Sequence, residues 1–346
     1  SKIRVSALWC YPLKSAKGVA VESMQVLEGG PANDREWMVV QLNSQKAEDG
    51  SDAKFITGRQ IPELVSIQPS FCPNTGDLIL TFERDGVAVR HLELRPEIIN
   101  DSSSNHSTNS NNRSISVKVW NTLTSGIDQG DVAAEFLREC LNEDGLRLLR
   151  MPTAARVLKD CPKYGVLAGP KDVAKFSDWS PFSIGSERSL AYLNDHMEDP
   201  AQMRQFRPNI VVNGSSSILQ PFAEETWKNF KVGQVSMRNV KNVARCVMTT
   251  LKPERNGQRH PQMEPLKTLR KLRAGSYAEF LPSDSPMCTP ECFFNCNLIH
   301  QFVPGQVIRV GDEIEILETK QPYPSSANNF PLLMTGKDNP FGAKYQ

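Results

Sequence analysis

The chain has 346 residues, with 40 Lys and Arg against 39 Asp and Glu, so its formal net charge is +1. That balance argues against a nucleic-acid groove or an anionic-membrane binder as the main function, since both usually carry a cationic excess. The length suits two ordinary domains or one large one, which folds without a disulfide or zinc staple. A hydrophobic fraction of 39% and a mean hydropathy of −0.41 fit a globular chain, and the sequence holds no run of 18 apolar residues such as a bilayer-spanning helix needs.

Period-2 alternation and β-branched residues, punctuated by Gly, Pro and Asn, predict many short strands. The first covers residues 2–11 and is followed by the turn YPLKS. Further strands are predicted at Met24–Leu27, Trp37–Leu42, Leu64–Gln68, Leu78–Phe82 and Leu92–Leu94, with a polar loop at Asn43–Lys54. The stretch Asn100–Ser114 (NDSSSNHSTNSNNRS) has almost nothing to bury and reads as a solvated insert, followed by a strand at Ile115–Trp120. Asp131–Asn142 is predicted helical, with Val132, Phe136 and Leu137 on one face. After a strand at Leu146–Leu149 comes a long, Lys-containing connection, Thr153–Phe176. Ser186–Met197 is a second helix with Ser186 as its N-cap, and Pro265–Leu272 a short third one. Later strands are predicted at Ile210–Val212, Val235–Met237, Val247–Thr250, Leu298–Phe302 and Ile314–Leu317, before an irregular tail, Thr319–Gln346. Many strands in succession predict a barrel or sandwich rather than alternating βαβ units. The chain starts at Ser1 and is strand-like by Ile3, which leaves room for a trimmed N-terminal targeting or anchor segment.

Three segments concentrate cations beside turn residues: Tyr11–Ser15 with Asp34–Trp37 and Gly58–Gln60; Ser177–Phe182 with Phe206–Asn209; and Ala244–Cys246. If Lys14, Arg35, Arg207 and Arg245 converge, they form a clamp for an anion, since Arg forks suit phosphate. The competing reading is four unrelated surface salt bridges. Of the eight cysteines, Cys246 is the one directly preceded by an arginine and leading into a β-branched run. An adjacent cation favours the thiolate, the form that ligates soft metals; the commoner alternative is a buried core cysteine. Cys288, Cys292 and Cys296 recur every four residues, but Pro286 and Pro290 argue against a helix, so they read as adventitious cysteines in an irregular loop. No CxxC, HExxH, GxSxG, P-loop or GxGxxG pattern is present.

Together these segments resemble the MOSC family, and within it the amidoxime-reducing branch. The markers run in order: YPLKSAKG (Tyr11–Gly18), DREW (Asp34–Trp37), GRQIPEL (Gly58–Leu64), FSDWSPFSIGSERSLAYLN (Phe176–Asn194), FRPNIVV (Phe206–Val212), ARCVMTTLKPERNG (Ala244–Gly257), EPLKTLRKLR (Glu264–Arg273) and PGQVIRVGDEI (Pro304–Ile314). The resemblance implies a mixed, mainly β fold with a few helices. It places an N-terminal MOSC β-barrel-like domain at residues 1–150 and a C-terminal MOSC β-barrel domain at residues 151–318, with residues 319–346 as an extension. It implies a molybdenum cofactor, Mo-molybdopterin, with Cys246 as catalytic residue and as the protein's ligand to the metal. Lys14, Ser15, Arg35, Asp178, Ser180, Arg207, Asn209 and Arg245 are carried over as cofactor-binding positions. MOSC domains also carry an expectation of pyridoxal phosphate binding.

The implied activity is reduction of N-hydroxylated compounds: amidoximes, hydroxylamines and, as a further candidate, nitrite. Electrons would come from cytochrome b5 and NADH-cytochrome b5 reductase. This agrees with the lack of any flavin, haem or ferredoxin motif in the chain. The alternative is a cofactor carrier or sulfuration-related protein without turnover of its own. The implied location is mitochondrial, at the outer membrane facing the cytosol, or cytoplasmic, with membrane contact expected only through an N-terminal anchor where one precedes Ser1. Two residues depart from the pattern. Ala244 stands where relatives usually carry Ser, and Trp179 stands where a small hydroxyl residue is usual. Trp179 is expected either to narrow the space over the cofactor or to turn outward onto the Thr153–Phe176 connection.

Overall fold

The computed structural model describes residues 2–95, 113–120, 122–151, 156–159, 168–275 and 291–320. Among them the fold is mainly β, with three α-helices: α1 (Gly130–Leu141), α2 (Glu187–Asn194) and α3 (Leu266–Leu272). Most of the Asn100–Ser114 insert, Cys161, Cys288 and nearly all of the tail fall outside the described residues.

A closed barrel forms from the strands Ser114–Val119, Thr122–Asp128, Leu146–Arg150, Trp37–Leu42 and Ala53–Phe55. Closure removes the free edges that a sheet of short strands would otherwise expose. The run WMVVQL shows why the sequence there is nearly continuously apolar. Met38 and Val40 point into the barrel with Ile115, Val117 and Leu149, while Trp37 and Val39 pack outward onto another cluster. That outer cluster is completed by α1 and by the three-stranded sheet Ile67–Phe71, Leu78–Arg84 and Val87–Leu94. Helix α1 buries Ala133, Phe136, Leu137, Cys140 and Leu141. Val132, expected on that face, is 74% exposed, because it lies about 100° round the helix from Ala133.

The second layer is a nine-stranded sheet ordered Val19–Val21, Arg4–Cys10, Ile210–Asn213, Phe182–Ser186, Glu291–His300, Val235–Ala244, Trp227–Val232 and Ile314–Thr319, with Ala274–Gly275 beside Glu291–His300. Its first strands come from the start of the chain, so residues 4–8 pair with residues 210–213. The parallel pair in this sheet, Phe182–Ser186 with Ile210–Asn213, is joined through α2. That helix starts on its expected cap, with the Ser186 side chain accepting from the Arg188 amide. One face of the sheet covers a core including Leu8, Phe182, Ile184, Ile210 and Phe230. The other carries α2 and α3 over Phe206, Phe222 and Phe294.

Three local expectations are corrected. Leu64–Gln68 is a 3-10 turn, Pro62–Ser66, before the strand Ile67–Phe71, because Pro62 opens a helical turn more readily than it joins a ladder. Val247–Thr250 is also a 3-10 turn rather than a strand. Cys292 and Cys296 lie on the buried strand Glu291–His300, not in an irregular loop; a strand turns alternate residues to one face, so a four-residue spacing keeps both buried.

Candidate active site

The turn YPLKS leaves the strand Arg4–Cys10 and is zipped to DREW through the backbone. The Arg35 amide donates to Tyr11 O at 2.8 Å, Trp37 N to Pro12 O at 3.1 Å and Lys14 N to Trp37 O at 2.9 Å. The Asp34 carboxylate accepts from the Tyr11 amide at 2.8 Å and from the Arg35 guanidinium at 2.7 Å. The strands Arg4–Cys10, Ile210–Asn213 and Phe182–Ser186 lie side by side with Leu8, Ile210 and Ile184 in register. The segments entering and leaving them therefore meet at one end of the sheet. Ser15, Arg35 and Arg207 all adopt left-handed backbone conformations, with φ of 70°, 45° and 55°. Such conformations are unfavourable for residues with a side chain and concentrate at functional sites.

One solvent-connected cleft, about 160 Å³ in volume, results. Lys14, Ser15, Arg35, Asp178, Ser180, Arg207, Asn209, Arg245 and Cys246 all line it. So do residues the motif reading left aside: Thr57 and Arg59 from the barrel side, Gln205, Met248 and Thr249, and Asn297 from a central strand. Arg59 had a signal, since it stands in a segment singled out for its cation. Asn297 had none, because it is one polar residue in an apolar strand reached through tertiary pairing. Five cations line the cleft against a single carboxylate, Asp178.

The cations are not equivalent. Lys14 is 5% exposed, donates to Phe176 O at 2.8 Å and is ion-paired with Asp178. Burial lowers its pKa, and Asp178 opposes that shift. Desolvation would raise the Asp178 carboxyl, but the Lys14 ammonium outweighs it and holds the group below the usual carboxylate range. Trp120 also donates to Asp178, at 3.2 Å. Arg35 is neutralised by Asp34 at 2.7 Å. Arg207 and Arg245, by contrast, have no carboxylate partner among the described residues. Arg207 donates to Ala16 O, and Arg245 Nε donates to Phe294 O at 2.8 Å. The Nη2 of Arg245 is buried without a hydrogen-bond partner. Burial pushes both arginines down to about 10. Buried charge without a counter-charge is costly, so a pair of such groups facing one cleft marks a place for an anion.

Ser180 and Asn209 hold the wall rather than offer free groups. The Ser180 hydroxyl lies 2.7 Å from both Phe182 O and Asn297 Oδ1. Asn209 accepts from Ser183 N at 3.2 Å and donates to Trp9 O at 3.2 Å, locking three strands together.

Cys246 ends the extended segment after Ala244 and caps the 3-10 turn, its carbonyl accepting from Thr249 N at 3.1 Å and Thr249 Oγ1 at 3.0 Å. It is a free, half-buried thiol at the cleft. Cys10, Cys140, Cys292 and Cys296 are buried. Burial pushes their thiols up, to about 12 for Cys140 and about 11 for Cys292. Cys246 is thus the described cysteine placed to meet a ligand in the cleft. Trp179 borders the cleft, but its ring packs on Leu158, Ala174, Val240 and Ile299 and its indole nitrogen lies 3.4 Å from Lys159 O. The ring thus lines the cleft with one edge while it packs on the 153–176 connection and on Val240 and Ile299.

Two layers, a closed β-barrel and a mostly antiparallel sheet, sharing one cationic cleft with a thiol at its edge, define a MOSC-type protein. The family models agree: MOSC N-terminal beta barrel domain matches residues 2–144, and MOSC domain matches residues 171–315. The chain belongs to the MOSC-domain family. It is 33% identical to mitochondrial amidoxime reducing component 2 of Bos taurus over 78% of this chain and 72% of that protein. It is 30% identical to mitochondrial amidoxime-reducing component 1 of Homo sapiens over 90% of this chain and 82% of that protein. The corresponding protein of Xenopus laevis is also 30% identical, over 90% and 81%.

Proposed function

We propose that this protein is a molybdenum-cofactor oxidoreductase that reduces N-hydroxylated compounds, namely amidoximes and hydroxylamines. The observation that carries the reading is the pairing, in one cleft, of the free Cys246 thiol with two arginines, Arg207 and Arg245, that have no ion-paired carboxylate among the described residues. A molybdopterin cofactor presents both complements, a soft metal and an anionic phosphate. The donor set fits it: Cys246 as metal ligand, and Arg207, Arg245 and Arg59 as the cations of the cleft without an ion-paired carboxylate among the described residues. When bound, the cofactor supplies the two-electron chemistry that removes oxygen from an N–O bond.

The protein's own part is to hold and orient. A thiolate at Cys246 suits a metal that changes charge state. The Lys14–Asp178 pair fixes one wall, and Ser180 and Asn209 brace the strand ends behind it. The names of the relatives support the amidoxime-reducing activity and a mitochondrial location, which we extend to this chain with an orientation facing the cytosol. Cytochrome b5 and its NADH-dependent reductase are the proposed electron source. Among the described residues no helix is long and apolar enough to cross a membrane.

Two measurements test the reading. Metal analysis after cofactor-replete expression should find about one molybdenum per chain, and the loaded protein should reduce benzamidoxime with a supplied electron donor. Molybdenum without turnover would assign the carrier role instead, and no molybdenum would overturn both.

A further inference from the structure

Tyr11 does not line the cleft, yet it touches both sides of it. Its ring is fully buried. The guanidinium carbons of Arg35 and Arg207 both lie over that ring, each 4.3 Å from its centroid. Arg35 further donates to the Arg207 carbonyl at 3.0 Å, so the two residues are tied through backbone as well. Two like charges held around one ring repel each other, and of the two only Arg35 is ion-paired with a carboxylate among the described residues. The negative face of an aromatic ring attracts each guanidinium and restricts its rotamers. The Tyr11 hydroxyl takes no part, since it is buried without a hydrogen-bond partner.

We propose that Tyr11 is a positioning residue: its aromatic face is the common platform that sets the Arg35 and Arg207 guanidiniums at the spacing of an anion clamp before the anion arrives. The inference rests on the cleft being an anion site. Gly18 supplies an independent handle on the same ring. A Cβ at that position would lie 2.6 Å from Cε1 and 3.0 Å from Cδ1 of Tyr11. The glycine leaves room for the ring, and any larger residue must move it.

The test uses the full chain produced in cells that cannot make the pterin, titrated with inorganic phosphate by calorimetry. Wild type should bind phosphate, and Arg207→Ala should abolish binding. Tyr11→Phe keeps the ring and should bind within about twofold of wild type, whereas Tyr11→Met should weaken binding roughly tenfold. Gly18→Ala, which displaces the ring without removing it, should weaken binding in the same direction. Melting temperature without phosphate reports whether each variant is folded. If Tyr11→Met fails to fold, Gly18→Ala decides. Wild-type affinity in Gly18→Ala or in folded Tyr11→Met, with Arg207→Ala inactive, would overturn the platform and leave the clamp standing. A loss in Tyr11→Phe equal to that in Tyr11→Met would overturn it in favour of the hydroxyl. Failure of wild type to bind phosphate would overturn the platform together with the clamp, and molybdenum content would then test the wider reading separately.

Discussion

Arg245→Met should stabilise the cofactor-free protein while weakening its hold on the cofactor. The Arg245 guanidinium stays charged in the fold, yet burial pulls its pKa from 12.5 to about 10. Keeping that charge inside therefore costs about 3 kcal/mol of folding free energy. Methionine removes the cost and fills much of the space. Against this stand the hydrogen bond from Nε to Phe294 O, about 1 kcal/mol, and the weaker contact with the Phe206 ring at 5.7 Å. The balance is a gain on the order of 1–2 kcal/mol, roughly 2 °C in Tm for a chain of this size. With an anion bound the sign reverses. The buried Nη2, orphaned in the protein, would lose a charge-assisted hydrogen bond of roughly 1.5–3 kcal/mol, so retention should weaken by about 10- to 150-fold. Calorimetric melting of the cofactor-free chain and molybdenum content after dialysis read the two effects separately. A cofactor-free variant melting several degrees below wild type, or one retaining molybdenum like wild type, would refute the argument that this charge waits for an anion.

Cys246→Ala should abolish reductase activity and shift Tm by no more than about 2 °C, because a half-exposed side chain without a partner contributes little to folding; benzamidoxime turnover at matched molybdenum content, with a melting curve, checks both halves. Trp179→Thr should lower Tm through lost packing on Leu158, Ala174 and Val240, while the kcat/KM ratio of aromatic amidoximes to hydroxylamine changes less than about twofold; a large change in that ratio would return the indole to the substrate pocket. Glu224 is fully buried, and burial raises its carboxyl from 4.5 to about 7. The folded state then keeps a proton that the unfolded state releases, so stability from this group is full below pH 4.5 and declines as pH rises to about 7. Glu224→Gln should remove up to about 3 kcal/mol of that decline, and parallel pH slopes in urea unfolding of the two proteins would contradict it.

Much of the local structure was legible in the residues. Alternation placed about half of the strands, Ser186 marked the start of α2, and the nine residues carried over from the family resemblance all line the cleft. These succeeded because each depends on neighbours in sequence or on a motif of a few residues. Where a segment's end depends on distant partners, the reading failed. Val247–Thr250 is β-branched enough for a strand, but among the described residues no strand pairs with it, and Thr249 and Thr250 turn back onto Cys246 O and Val247 O. Val132 looked like core and is solvent-facing, because the phase of α1 is set by the sheet it packs on. The largest difference lies in the charges. As a sequence, Lys14, Arg35, Arg207 and Arg245 are four equivalent cations. Only the fold brings Asp178 to Lys14 across 164 residues and leaves Arg207 and Arg245 without an ion-paired carboxylate among the described residues. Composition determines how many charges a chain carries; which of them are balanced is a matter of distances that exist only once the strands have paired.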